Sequence, residues 1–327
     1  MSAARKGGGK QAPNDTPGDA PRAAAARRVS RGLLRRLPLP APDPGGDKEV
    51  RGRVLVIGGS ALVPGAVLLA GVAALRAGAG KLQLATVREA AIPLGLAVPE
   101  ALVAALPATA GGEIDGRAAA DVLGSYAESA DAVLVGPGMA DEGAAGALLA
   151  ALVPRLGPGA TLVLDGPAIT ALAAAPAGLL HPLGGRAVLT PHAGEMASTL
   201  GEDKAAVDAD PPGAARRAAE RFGAVAVLKG ADTFIAAPGG PGAGDGGALY
   251  CFTEGSVGLG TSGSGDTLSG IVAGLAARGA PGATAAVWGV WAHGTAGERL
   301  AKRTGTVGYL ARELLAEVPA LVGRGSA

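Results

Sequence analysis

Several kinds of protein are excluded by what this chain lacks. It holds one cysteine, Cys251, so no disulfide can form within it, and a reducing, cytoplasmic setting is expected. A lone cysteine is ordinarily a small core residue rather than a nucleophile. Aromatic residues make up 2% of the chain, which leaves few platforms for stacking nucleobases. The formal net charge is +1, so no field of one sign covers the surface and composition gives no case for nucleic acid. No apolar run approaches the roughly 18 residues that a membrane helix needs. Residues 61–75 come closest, and Pro64, Gly65 and Gly71 interrupt them.

What is present is a large apolar fraction, 48% of 327 residues, enough for one large core or at most two. Glycine and proline together form about a quarter of the chain, at 56 and 24 residues. Runs of Val, Leu and Ala separate the glycines, which therefore read as loops and helix ends rather than as disorder. Residues 1–28 differ. They are rich in Ala, Pro, Gly and Arg without apolar period, and read as a disordered, mildly basic tail. They lack the apolar centre of a secretory signal, and Asp15 and Asp19 argue against a transit peptide. Residues 29–37 suit a short helix, ended by Pro38, Pro40, Pro42 and Pro44. The folded domain is expected to span 29–322, with 323–327 as a C-terminal tail.

Inside it, apolar runs alternate with helical patterns. Strands are predicted at Arg53–Ile57, 81–86, Ala132–Val135, Thr161–Leu164, Ala187–Leu189 and Val225–Leu228, and helices at 64–77, 267–278 and 283–302. This order implies βαβ units and a mostly parallel sheet with helices on both faces. Nearly every predicted strand ends in a glycine or polar cluster. Ligands bind at that carboxyl edge in open α/β sheets, so those clusters are where chemistry should gather.

The strongest cluster is Gly260-Thr261-Ser262-Gly263-Ser264-Gly265-Asp266, ahead of an apolar helix. Exposed N–H groups of Gly263, Ser264 and Gly265, with the helix dipole behind them, would form an anion hole for a phosphate. Asp266 beside it could serve as a base or orient a hydroxyl. The plainer alternative is a glycine turn with Asp266 as a helix cap. No Gly-Lys-Ser/Thr occurs at Walker A spacing. Thr190-Pro191-His192-Ala193-Gly194-Glu195 is the second cluster, with His192 and Glu195 near a strand end or, equally simply, a capped loop with a surface histidine. His181 and His293 are weaker, and His293 reads as a core residue of an apolar helix. Lys229-Gly230-Ala231-Asp232-Thr233 is the third. A lysine ending a buried strand is costly unless it meets an anion, although it could also snorkel from a hairpin. Gly58-Gly59-Ser60 with Pro64-Gly65-Ala66, and Gly136-Pro137-Gly138, offer backbone for the close approach of a flat ligand, or merely tight turns. Asp165 is a further contributor or a turn residue.

In this order the clusters resemble the ADP-dependent NAD(P)H-hydrate dehydratase family. The matching segments are GRVLVIGGS (52–60), PGAVLLAGVAALRAGAGK (64–81), VLVGPG (133–138), LVLDGPA (162–168), LTPHAGE (189–195), VLKGADT (227–233), GTSGSGDTLSGIVAGLAARG (260–279) and AVWGVWAHGTAGE (286–298). The resemblance covers roughly residues 29–322. It implies a ribokinase-like three-layer α/β/α fold with a mostly parallel central sheet, and a homotetramer. It implies that the 6S hydrate of NADH or NADPH, with ADP as phosphoryl donor, yields the normal cofactor, AMP and phosphate. The hydrate would contact Ala66, Gly138, His192 and Asp266. The adenine nucleotide would contact Lys229, Gly230, Ala231, Asp232, Thr233 and Gly265. Asp266 is the expected catalytic residue, and Mg²⁺ is expected to share the phosphoryl charge, with Glu195 holding it through water. Val63 stands where the family often has an aromatic residue. No epimerase domain precedes residue 29, so an epimerase would act as a separate protein. Rival readings are a kinase of the same fold acting on a small alcohol such as a thiazole or pyrimidine vitamin precursor, a nucleotide-sensing protein without catalysis, and an NAD-dependent oxidoreductase. The last would want GxGxxG after the first strand, which Gly58-Gly59-Ser60 does not supply.

Overall fold

The computed structural model describes residues 26–41, 45, 48, 50–239 and 247–323. Residues 1–25 of the expected tail, and 324–327 at the other end, lie outside them. The chain order is β1 (Arg27–Arg28), α1 (Arg31–Arg36), β2 (Arg53–Ile57), α2 (Gly65–Arg76), β3 (Lys81–Val87), α3 (Arg88–Ala97), β4 (Ala101–Leu106), α4 (Gly116–Ser129), β5 (Ala132–Val135), α5 (Glu142–Leu152) and β6 (Thr161–Leu164). There follow α6 (Pro167–Thr170), β7 (Ala187–Leu189), α7 (Ala193–Leu200), α8 (Lys204–Ala209), α9 (Pro211–Phe222), β8 (Val225–Leu228), β9 (Thr233–Ala236), β10 (Leu249–Phe252), α10 (Ser264–Ala277), α11 (Gly282–Thr304) and α12 (Ala311–Val322).

The fold begins before the boundary expected at residue 29. Arg27 and Arg28 pair in parallel with Tyr250 and Cys251 of β10, and the Val29 N–H donates to the Cys251 carbonyl at 2.8 Å. Sequence gave no warning, because two arginines carry no strand signal and the pairing is supplied by an edge more than 200 residues away. The next helix is shorter than the predicted 29–37. Ser30 caps it by accepting from the Leu33 N–H. It is then tied down where the Trp288 indole donates to the Leu37 carbonyl at 2.6 Å.

The sheet runs β1-β10-β9-β8-β7-β6-β5-β2-β3-β4. Strands β2 to β8 are parallel, and β9 pairs antiparallel with both β8 and β10. Strand order reverses between β2 and β5, so the chain leaves toward β4 and returns to build the other side. A crevice opens at such a reversal, outside the carboxyl ends. Alternation along each strand feeds two helix layers. Val54 and Val56 join the core under α2, α10, α11 and α12, whereas Leu55 and Ile57 join the core under α4 and α5. Ala226 and Leu228 of β8 pack instead with α7 and α9.

Two glycines fix where α10 lies. A Cβ at Gly270 would stand 2.2 Å from the Ala70 carbonyl oxygen, and one at Gly274 would stand 2.4 Å from that of Ala74. Only glycine lets α10 lie this close on α2, and that contact delivers the α10 N-terminus to the carboxyl edge of the sheet.

Candidate active site

Five parallel strands, β2, β5, β6, β7 and β8, lie side by side and end along one edge. Their tips are Gly58, Gly136, Asp165, Thr190 and Lys229. Asp165 is buried, its side chain 6% exposed. Its Oδ1 accepts from Thr190 Oγ at 2.8 Å and from Lys229 Nζ at 3.1 Å. The Lys229 N–H donates to the Pro191 carbonyl at 2.8 Å, which seats this strand end beside the next loop. Lys229 Nζ also lies 3.9 Å from Glu195 Oε2. A Cβ at Gly265 would meet Lys229 Nζ at 3.3 Å, so the missing side chain leaves the ammonium its room beside α10.

Charge in this cluster is unbalanced. Burial alone would depress the Lys229 ammonium, but Asp165, Glu195 and Asp266 together outweigh it and hold the pKa above the ordinary lysine value. Asp266 is raised as well, but here the charged form is the one disfavoured. Burial, aided by the like charges of Asp165 and Glu195 and opposed by Lys229, lifts its carboxyl to about 6. A carboxylate poised near neutral pH suits proton transfer.

The predicted loop-then-helix at 260–278 needs correction at its start. The helix takes in Ser264, Gly265 and Asp266, because Gly263, with φ of +86°, turns the chain as the N-cap. Of the expected anion hole, Ser264 is engaged: its N–H donates to the Thr261 carbonyl at 3.2 Å, and its hydroxyl lies 2.9 Å from His293 Nε2. Gly265 is the residue of that turn beside the Lys229 ammonium, which a Cβ there would meet at 3.3 Å. His293, read from sequence as a satisfied core residue of an apolar helix, has its partner in Ser264 and also lines the cavity. Burial lowers its pKa to about 4, so the ring is neutral at neutral pH.

His192 is the N-cap of α7. Its Nδ1 accepts from the Gly194 and Glu195 N–H groups at 3.0 and 3.2 Å, while Glu195 Oε2 accepts from the His192 N–H at 2.8 Å. The plainer alternative therefore describes its local role, and its side chain is 60% exposed at the cavity rim. Glu195 is tied into the same cap. One oxygen is held by the His192 N–H and the other lies 3.3 Å from the His192 ring. Among the described residues no three His, Cys, Asp or Glu side chains are grouped to hold an ion.

A cavity of about 730 Å³ opens on this edge. His192, Lys229, Gly230, Ala231, Thr233, Ser264 and Gly265 line it, with Leu268, Val290 and His293 behind. Asp232 is exposed in the turn between β8 and β9 and does not line it. Ala66 and Gly138 are brought together elsewhere on the same edge, at the strand-order reversal. A Cβ at Gly138 would meet the Val63 carbonyl at 2.5 Å and Ala66 Cβ at 2.9 Å. Asp165 links the two groups, since its carbonyl is the atom against which Gly136 packs. Sequence reasoning missed the partners of Asp165 and the cavity that His293 lines. The one available signal was a polar residue inside an otherwise apolar run.

The three-layer fold and this polar edge define a ribokinase-like α/β protein. The profile of the family described as NAD(P)H-hydrate dehydratase matches residues 54–320. The chain belongs to that family. It is 52% identical over 299 residues to the ADP-dependent (S)-NAD(P)H-hydrate dehydratase of Xanthomonas campestris, covering 91% of this chain and 96% of that protein. It is 37% identical to the bifunctional NAD(P)H-hydrate repair enzyme of Moorella thermoacetica, covering 90% of this chain but 53% of that longer protein. Among solved structures, the ADP/ATP-dependent NAD(P)H-hydrate dehydratase of Bacillus subtilis, co-crystallised with ATP and Mg²⁺, superposes with a TM-score of 0.76. That likeness is at 27% identity, over 92% of this chain and 99% of that one.

Proposed function

We propose that this protein catalyses the ADP-dependent dehydration of the 6S hydrate of NADH or NADPH, returning the reduced cofactor with AMP and phosphate. The observation that carries this reading is Asp266, half-buried in the first turn of α10 with its pKa lifted to about 6, within the field of Lys229. A carboxylate beside an anion site is what transfer of a phosphoryl group to a hydroxyl requires.

Lys229 and the Gly265 N–H hold the nucleotide's phosphates, and Gly230, Ala231 and Thr233 bring backbone and a small side chain against the rest. Ala66 and Gly138 admit the hydrated ring, and His192 borders it. Asp266 accepts the proton of the ring hydroxyl as that oxygen takes the terminal phosphoryl group of ADP, releasing AMP. Helix-end N–H groups stabilise the charge in transit. The ring nitrogen's lone pair then expels phosphate, and loss of a proton from the neighbouring carbon restores the dihydropyridine. Magnesium accompanying the nucleotide would share the phosphoryl charge, with Glu195 the residue that would hold it through water. Asp232 is left to shape the turn.

The wider reading is a homotetramer in the cytoplasm with a separate epimerase alongside. The family resemblance supports the assembly and the single cysteine supports a reducing compartment. Among the described residues no helix is long and apolar enough to cross a membrane. The longer bifunctional relatives support a second repair activity beside this one. Purified protein incubated with hydrated NADH and ADP should restore the absorbance of the reduced nicotinamide and release AMP. A stable phosphorylated alcohol without dehydration would instead establish the kinase reading.

A further inference from the structure

Asp165 is the buried carboxylate of the edge cluster, and the proposed reaction gives it no task. It ends β6, and its side chain is 6% exposed. Its Oδ1 accepts from Thr190 at the tip of β7 and from Lys229 at the tip of β8, at 2.8 and 3.1 Å. Its Oδ2 lies 4.0 Å from where a Gly265 Cβ would stand, so the second oxygen faces the first turn of α10. The fold itself does not call for a charge here. The neighbouring β5 ends in Gly136, and an apolar or glycine tip to β6 would avoid desolvating a carboxylate. Asp165 nevertheless meets the one cation in the cavity lining, Lys229.

We propose that Asp165 is a positioning residue: it holds the Lys229 ammonium at the strand edge and competes for it with the phosphate of the bound nucleotide. The inference rests on the nucleotide occupying the Lys229–Gly265 pocket. Without Asp165, Lys229 would lose its one carboxylate hydrogen bond, keep only the more distant Glu195 and Asp266, and lean further onto phosphate once ADP or AMP arrived. With Asp165 beneath it, the ammonium stays fixed between β8 and α10, and ground-state affinity for nucleotide is restrained. Tight binding of ground state and product does not help turnover, so a group that weakens it can still be needed for rate.

Asp165→Asn keeps the size and can still accept from Thr190, but removes the charge. Calorimetry should show ADP and AMP binding about 3- to 10-fold tighter, the scale of removing one nearby like charge from an anion site. At the same time kcat should fall while KM for ADP falls with it. A merely structural role would weaken binding and turnover together. Thr190→Val keeps the charge and lets the carboxylate turn. It should lower kcat without tightening ADP binding. A folded Asp165→Asn variant that binds ADP no tighter than wild type overturns the proposal. If that variant does not fold, an unchanged kcat in Thr190→Val overturns it instead. Failure of the underlying reading is separable: wild type would not bind ADP, or Lys229→Gln would leave its binding unchanged.

Discussion

Two stretches of one sheet edge are made of opposite materials. From β6 to β8 the tips are Asp165, Thr190 and Lys229, joined by Glu195 and Asp266. From β2 to β5 they are Gly58-Gly59-Ser60 and Gly136-Pro137-Gly138, faced by Ala66, with no charge and no side chain larger than the proline ring. The first stretch is an electrostatic device that holds one ammonium among three carboxylates. The second is bare backbone, where shape decides what approaches. The proposed transfer of a phosphoryl group onto a ring hydroxyl needs both, and the reversal of strand order sets them side by side.

This contrast can be broken by mutation. The largest effect should be on chemistry in the charged stretch. Asp266→Ala is expected to lower kcat by about 10² to 10⁴, the range of one acid–base group, while ADP binding measured by calorimetry survives. Full activity would remove Asp266 from the reaction.

The bare stretch should fail in a different currency. In Gly136→Ala the new Cβ would stand 1.8 Å from the Asp165 carbonyl oxygen, at a φ of +125° that side chains avoid. Strands β5 and β6 would have to part, at a stability cost of about 2–4 kcal/mol readable by denaturant unfolding. A melting curve like that of wild type would show that the edge is less rigid than its packing implies.

Lys229→Gln should weaken ADP by about 10- to 100-fold, as loss of a partly buried charge contact to an anion does. The pH dependence follows from Asp266. The base form is needed, so kcat/KM should fall about tenfold per pH unit below about 6 and level off above it.

Stability runs the opposite way. The folded carboxyl binds its proton more tightly than the unfolded chain, whose value is near the ordinary 3.8. The stabilisation is complete below that value and lost as pH rises through about 6. Above pH 6 Asp266→Asn should therefore raise stability, by about 1–3 kcal/mol, while losing activity. The smallest effect belongs to neither stretch. Arg217→Ala removes an exposed pair with Glu202, whose Oε1 lies 2.8 Å from its Nε, and should cost at most about 1 kcal/mol in thermal unfolding.

Much of the fold was legible in particular segments. Arg53–Ile57, Ala132–Val135, Thr161–Leu164, Ala187–Leu189 and Val225–Leu228 are apolar runs closed by glycine or polar residues, and all five are strands with those bounds. The start of α10 was not legible. Ser264-Gly265-Asp266 has the composition of a loop, and the helix reaches back over it because its packing on α2 begins there. His293 was read as a satisfied core residue, and its bond to Ser264 agrees, but its place in the cavity wall was not legible. The open side it faces is created by α10 and the β8–β9 turn, which come from other parts of the chain.

The sequence by itself determined the layer order, the parallel sheet and the types of residue collected at its carboxyl edge, since hydrophobic period and turn chemistry are local properties. Only the tertiary structure decided which of those residues meet. Asp165, Thr190 and Lys229 share hydrogen bonds across separations of 25 and 64 residues. Strand order makes them neighbours, and strand order is set by how helices cover the two faces of the sheet, which no local pattern records.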